Sequence, residues 1–113
     1  MKGVKIYYDN QGDILEVQFD TGEKDRRTGI GLTDRITLFC DTSFTTILGF
    51  TIVAYSKLLS LPDMPLSELE QSPKQVQEKI KKLLTRPPMD SFVHLVRDQI
   101  GLENIYFSEL VAA

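Results

Sequence analysis

The first twenty residues alternate hydrophobic and polar side chains with a period of two, the spacing that turns one side of an extended chain toward a core. The alternation runs from Val4 to Tyr8 and resumes from Leu15 to Phe19. Between these runs lie Asn10 and Gly12, residue types that accept the backbone conformations of tight turns. The segment therefore predicts a β-hairpin, with its core face formed by Val4, Ile6, Tyr8, Leu15, Val17 and Phe19.

Two further strands follow in the same style. The segment from Ile30 to Asp41 and the segment from Ile47 to Tyr55 are rich in β-branched and aromatic residues, and Thr42–Thr46 reads as the turn between them. The predicted inward-facing positions are Ile36, Leu38 and Cys40 in the first, and Leu48, Phe50, Ile52 and Ala54 in the second. The simplest topology is an antiparallel meander of four or five strands.

The second half has helical rather than strand signals. Two prolines between Leu61 and Pro65 interrupt any strand, and a short helical turn over Ser67–Glu70 fits after them. Ser72, followed by a proline and by Gln75, has the form of a capping box. Apolar residues at helical spacing then predict a helix that ends at Arg86, because Pro87-Pro88 cannot continue it.

A second helix is predicted from Met89 or Asp90 to Gly101, with Gly101 as its C-terminal cap. Its buried side chains would be Phe92, Val93, Val96 and Ile100. The hydrophobic pattern of residues 105–111 is compatible with either a strand that returns to the sheet or a helix. The fold class is thus α+β, one domain over 1–113, with a β-meander portion at 1–60 and a helical extension at 61–113 whose helices pack on one face of the sheet.

Several short motifs in the first half resemble a small bacterial β-meander family, the domain of unknown function twenty-two eighty-three. They are Tyr8-Asp9, Asp13-Ile14-Leu15-Glu16-Val17, Ile47-Leu48-Gly49-Phe50-Thr51-Ile52 and Ala54-Tyr55-Ser56-Lys57-Leu58. The resemblance covers about residues 4 to 60 and implies a fold rather than an activity. The chain departs from the pattern at Glu16, where an aromatic residue is common, and in its extension beyond residue 60.

Charge and cysteine content narrow the classes of function. The formal net charge of −3 gives no general attraction to nucleic acid or to anionic membranes. No run of eighteen apolar residues is present, and the N-terminal segment lacks the apolar core of an export signal. A single cysteine, Cys40, suits a reducing compartment, so a cytoplasmic location is expected.

No residue can be nominated as catalytic, cofactor-binding or metal-ligating. The carboxylates from Asp9 to Asp20 suggest a calcium loop, but Ile14 occupies the position that requires glycine, and a hairpin turn is the better interpretation. Cys40 and His94 are the only pair available for nucleophilic catalysis, and the predicted strand and helix place them in different environments. Gly29-Ile30-Gly31 is only a fragment of a phosphate-binding motif.

Two groups of basic residues could bind phosphates, but solubility and the helix dipole explain them better, so nucleic acid is not the expected partner. They are Lys24, Arg26 and Arg27 after the hairpin, and Lys74, Lys79, Lys81, Lys82 and Arg86 on the first helix. Open sheet edges instead favour a protein-interaction or homo-oligomerising module without a cofactor. The alternative is a small enzyme or small-ligand binder with a pocket between sheet and helices.

Overall fold

The computed structural model describes residues 4–19, 27–58 and 63–102 and has an α+β fold, as the sequence predicts. Two short 3₁₀ turns, Leu69–Gln71 and Met89–Ser91, accompany the regular elements. In chain order the strands and helices are β1 Val4–Asp9, β2 Ile14–Phe19, β3 Thr28–Gly31, β4 Ile36–Cys40, β5 Ile47–Val53, α1 Tyr55–Leu58, β6 Met64–Pro65, α2 Lys74–Leu84, β7 Val93–Val96 and β8 Gln99–Leu102.

Five strands form an antiparallel sheet with the order β1-β2-β5-β4-β3. The predicted hairpin joins β1 to β2, but β2 then pairs with β5 rather than with the next strand along the chain. The sheet is therefore a hairpin placed beside a three-stranded meander. One face carries the core, and we call the opposite face the outer face.

The predicted strand from Ile30 to Asp41 is in fact two strands, β3 and β4, joined by a tight turn. Thr33 explains the break, because its hydroxyl accepts hydrogen bonds from the backbone N–H groups of Arg35 and Ile36 at 3.0 and 3.1 Å. A side chain that bonds the backbone two and three residues ahead favours a turn over a continuous ladder. The β4 positions predicted to face inward, Cys40 among them, are buried as expected.

A β-bulge near the start of β5 changes which residues face the core. The pairing with β4 shifts between Phe39 and Cys40, so that Cys40 lies opposite Ile47 while Phe39 lies opposite Gly49. Leu48 becomes the extra residue of the bulge and is half-buried, whereas Ile47 is buried in its place. The predicted alternation holds again for Phe50 and Ile52, which are buried, whereas Ala54 lies beyond the end of β5 at a φ of 57° and is half-buried.

The second predicted helix is wrong: its residues form a 3₁₀ turn followed by the hairpin β7–β8. With β6 these strands make a second antiparallel sheet of order β6-β8-β7. Val93 and Ile100 lie seven residues apart, which is a helical spacing, but Val93 and Leu95 satisfy a period of two within β7, and Arg97-Asp98 makes the two-residue turn to β8. Pro65 ends β6, an edge strand, which is where a proline is tolerated in a sheet.

Helix α2 forms where predicted, but Ser72 is not its cap. Pro73 occupies the N-cap position and makes no side-chain hydrogen bond. Gln77 instead reaches back from the helix, and its Nε2 donates to the backbone oxygens of Ser72 at 2.8 Å and Glu70 at 3.2 Å. The helix ends at Leu84, two residues before the predicted end.

The core is shared by both parts of the chain. Phe92, just before β7, packs against Phe19 and Phe50 of the large sheet with ring centroids 5.6 and 5.5 Å away. From the second half, Leu66, Leu69, Ile80, Leu84, Met89, Val93 and Ile100 are buried in the same cluster. None of the described helices is long and apolar enough to cross a membrane. The undecided segment 105–111 lies outside the described residues.

Candidate functional site

The two edges of the five-stranded sheet differ in length and cover. Edge strands present backbone N–H and C=O groups on which another strand can pair. β3 has only four residues, and the turn that follows it is covered, because the backbone N–H groups of Glu68 and Leu69 donate to the oxygen of Leu32 at 3.2 and 3.4 Å. β1 has six residues and, within the described chain, pairs only with β2. Among the described strands, the longer edge is therefore the open one.

β1 carries few of the features that natural proteins use to prevent strand addition. Its pairing with β2 is continuous over six residue pairs, from Val4 with Phe19 to Asp9 with Ile14, so no bulge twists it away. It contains no proline. On its outer face Tyr7 is 53% exposed, and the exposed residues Lys5 and Asp9 stand on either side of it. Within the part of the chain that the structure describes, these two charges are the only protection of the β1 edge, and they have opposite signs.

The core face of β1 is incompletely covered. Ile6 and Tyr8 pack against the core cluster, yet both remain half-buried. Their neighbours on β2, Val17 and Leu15, are fully buried. The hydrophobic core thus reaches the sheet edge, where an added strand would bury more of its rim.

Asp13 fixes the end of the β1–β2 hairpin. Its carboxylate accepts hydrogen bonds from the hydroxyl of Tyr8 at 2.6 Å, the hydroxyl of Ser56 at 2.6 Å and the backbone N–H of Ser56 at 3.0 Å. Its backbone oxygen accepts from the N–H of Tyr55 at 3.0 Å. The carboxylate thereby satisfies the start of α1, and the hairpin is tied to residues more than forty positions away. This cluster holds the C-terminal end of β1 in place.

The same contacts set the protonation of the cluster. Hydrogen bonds from Ser56 and Tyr8 lower the pKa of Asp13, because they favour its charged form. The hydrogen bond to Asp13 raises the pKa of Tyr8, and burial raises the pKa of Tyr55 to about 12. At neutral pH the carboxylate is charged and both phenols are neutral, which is the arrangement that the hydrogen bonds require.

A second candidate site lies on the small sheet. Nε2 of His94 in β7 lies 2.9 and 3.0 Å from the two carboxylate oxygens of Asp63, just before β6. The two side chains meet above Gly101 of the central strand β8. A Cβ atom at residue 101 would collide with both of them, so glycine is required for the pair to form.

An open cleft of about 560 Å³ adjoins this pair. Its lining includes the carboxylates of Asp63, Glu70 and Asp98 and the side chain of Arg97, which sits at a φ of 59° in the β7–β8 turn. Asp98 also forms an ion pair with Lys81 at 2.7 Å. The cleft lies on the small sheet and not between the large sheet and the helices, and its lining residues supply no hydroxyl or thiol nucleophile.

The structure separates the residues that could have formed a nucleophilic pair. Cys40 is fully buried in β4, and burial raises its pKa to about 11, so it is a thiol of the core. His94 lies in the small sheet against Asp63 rather than on the polar side of a helix. Asp9 ends β1 and Asp13 closes the hairpin turn, and the N–H of Gln11 in this turn donates to Asp9 at 3.1 Å.

The basic residues that the structure describes have different surroundings. Arg27 stacks on the ring of Phe39 at 4.6 Å, while Lys24 and Arg26 lie outside the described residues. On α2, Lys81 pairs with Asp98 while Lys79 and Lys82 are exposed, and Arg86, two residues beyond the helix, is exposed as well. Among the residues that the structure describes, no group of three or more histidine, cysteine or acidic side chains is arranged to hold a metal ion.

No protein-family model, no curated protein and no solved structure matches this chain. The resemblance to the β-meander family therefore stays a prediction. Its motif residues Tyr8, Asp13 and Ser56 nevertheless form one hydrogen-bonded cluster here. The sequence pattern had no signal for the pair of His94 and Asp63, because their meeting depends on strand pairing across 31 positions.

Proposed function

We propose that the protein is a protein-interaction module that binds by adding a strand to the β1 edge. The observation that carries this proposal is the continuous, six-residue β1, exposed at Tyr7 and anchored at one end by the Asp13 cluster. Backbone hydrogen bonds would supply affinity, and the side chains on the two faces would supply selectivity. A preformed edge of this kind needs little reorganisation on binding.

The proposal also includes the cellular location of the protein and the class of its partner. We place the protein in the cytoplasm, which its single buried thiol favours. A protein segment rather than nucleic acid is the partner, because the net charge is −3 and the exposed cations of α2 are few.

A peptide library displayed on phage, selected against the full chain, tests the proposal. Selected peptides should slow backbone amide exchange in β1 and leave the amides of β3 unchanged, as measured by hydrogen exchange. Protection confined to α2 or to the small sheet, or a selection that enriches no peptide, would contradict strand addition at β1.

Two proline variants provide the matched control. The N–H groups of adjacent strand residues point to opposite sides, so that one of Ile6→Pro and Tyr7→Pro removes a bond to β2 and the other removes only an outward N–H. The variant that keeps the stability of the wild type should lose peptide binding. Retention of full binding by that variant would show that the edge is not the site.

A small-ligand binder or enzyme is the second candidate, favoured by the contact of His94 with Asp63 beside the cleft. A fragment screen followed by NMR separates the two candidates. Shifts at Glu70, Arg97 and Gln99 that saturate with a fragment, and that disappear in Asp63→Asn, would support the cleft. Shifts confined to β1 would support strand addition.

A further inference from the structure

We infer that the strand added to β1 is β1 of a second copy of this chain, paired antiparallel in one defined register. This inference rests on the proposed use of the β1 edge and names its occupant. A two-fold axis perpendicular to the sheet would pass through Tyr7 and join the two five-stranded sheets into one of ten strands.

The alternation of side chains limits the possible registers. In such a dimer each residue must face a partner residue of the same sheet face, so the paired positions sum to an even number. Within β1, two registers give five residue pairs. One centres on Ile6 and the other on Tyr7.

Charge complementarity selects the register centred on Tyr7. In it, Lys5 of each copy lies opposite Asp9 of the other, so that two opposite-charge pairs form on the outer face. In the register centred on Ile6, Lys5 would face Tyr7 instead, and Asp9 would have no partner within β1. The charges that protect the edge against other strands are thus complementary to their own copies.

The core face is compatible with this register. Ile6 of one copy lies opposite Tyr8 of the other, and both residues are half-buried at the rim of the core. Pairing buries two such contacts across the edge. A contact of five residues per strand remains smaller than the roughly 800 Å² per partner of a stable interface, so the dimer should be reversible and dependent on concentration.

Charge exchange tests the register directly. Lys5→Asp and Asp9→Lys should each weaken self-association about tenfold or more, because both opposite-charge pairs become like-charge pairs. The double variant should restore it, and an equimolar mixture of the two single variants should form a heterodimer. Sedimentation from micromolar to millimolar concentration measures all four. A double variant that associates no better than either single variant would overturn the register.

Cysteine cross-linking gives a second measurement that does not depend on charge or on the turn contact of Asp9. In Tyr7→Cys the two thiols lie directly opposite each other, within reach of a disulfide. Lys5→Cys is the matched control, since its two copies lie about 13 Å apart along the strands. The native Cys40 is buried and does not compete. Equal cross-linking of both variants would contradict the inference.

The outcomes distinguish this inference from the proposed function. If the chain stays monomeric at millimolar concentration while selected peptides still protect β1, the inferred self-association is wrong and the proposed strand addition stands. A dimer whose amide protection lies outside β1 would contradict both the inferred pairing and the proposed use of the β1 edge. Lys74→Asp, an equal charge change on the exposed surface of α2, should leave self-association unchanged.

Discussion

Asp13 makes the folded protein sensitive to acid. Because hydrogen bonds from Ser56 and Tyr8 lower its pKa on folding, its stabilising contribution is complete above the unfolded-state pKa and is lost as pH falls through the lower, folded-state value. We expect the melting temperature of the wild type to fall on acidification below about pH 4, and Asp13→Asn to lose part of that dependence. Thermal unfolding followed by circular dichroism measures both.

Asp41 provides the matched comparison for Asp13. Burial raises its pKa, but hydrogen bonds from Thr45 and Thr46 outweigh burial and lower it overall. Asp41→Asn should therefore reduce the fall of the melting temperature in acid independently of Asp13. The double variant should show the sum of the two reductions. An acid profile of Asp13→Asn that coincides with the wild-type profile would show that Asp13 is not held in its charged form.

Gly101 leaves no room for a side chain on the small sheet. A methyl group there would collide with Asp63 and His94, so we expect Gly101→Ala to reduce the free energy of unfolding by about 1–3 kcal/mol. In an Asp63→Ala/His94→Ala background the same change should cost less, since the colliding atoms are gone. Chemical denaturation of the four proteins measures the coupling, and equal costs in both backgrounds would contradict the collision.

At the scale of elements, the N-terminus of α2 is held by a different contact from the one that its sequence motif predicts. The capping-box pattern predicts that Ser72→Ala costs roughly 0.5–2 kcal/mol, but Ser72 makes no capping hydrogen bond, so we expect no measurable change. Gln77→Ala should instead cost about 0.5–1.5 kcal/mol, because Gln77 donates to the backbone oxygens of Ser72 and Glu70. Urea denaturation midpoints compare the two variants. A larger loss of stability in Ser72→Ala than in Gln77→Ala would show that Ser72 caps the helix as the sequence predicts.

The elements that the sequence predicts well are those whose signal is local and long. β1, β2 and α2 each carry an uninterrupted pattern bounded by turn residues or prolines, and each forms where expected. β7 and β8 have four residues each, too few to distinguish a period of two from a helical spacing. Their identity as strands is set by their pairing with each other, by the pairing of β8 with β6 and by the packing of Phe92, and the last two are tertiary contacts.

The candidate site divides along the same line. Exposed residues Lys5, Tyr7 and Asp9 follow from the alternation of β1 alone, so an edge strand with these side chains could be read from the sequence. The sequence does not reveal that β1 rather than β3 is the open edge of the described sheet. This depends on the pairing of β5 with β2 and on the hydrogen bonds that cover Leu32. Strand order is a non-local property that alternation does not encode.

At the scale of the whole molecule, one core unites the two sheets. Phe92 contacts Phe19 and Phe50 of the large sheet and precedes the first strand of the small one. We expect Phe92→Ala to lower the free energy of unfolding by about 3–5 kcal/mol and to speed amide exchange in both sheets together. Val96→Ala, at a residue 57% exposed, should change stability by no more than about 0.5 kcal/mol. Faster exchange confined to β6, β7 and β8 would show instead that the small sheet opens independently, and that residues 1–60 hold a core of their own.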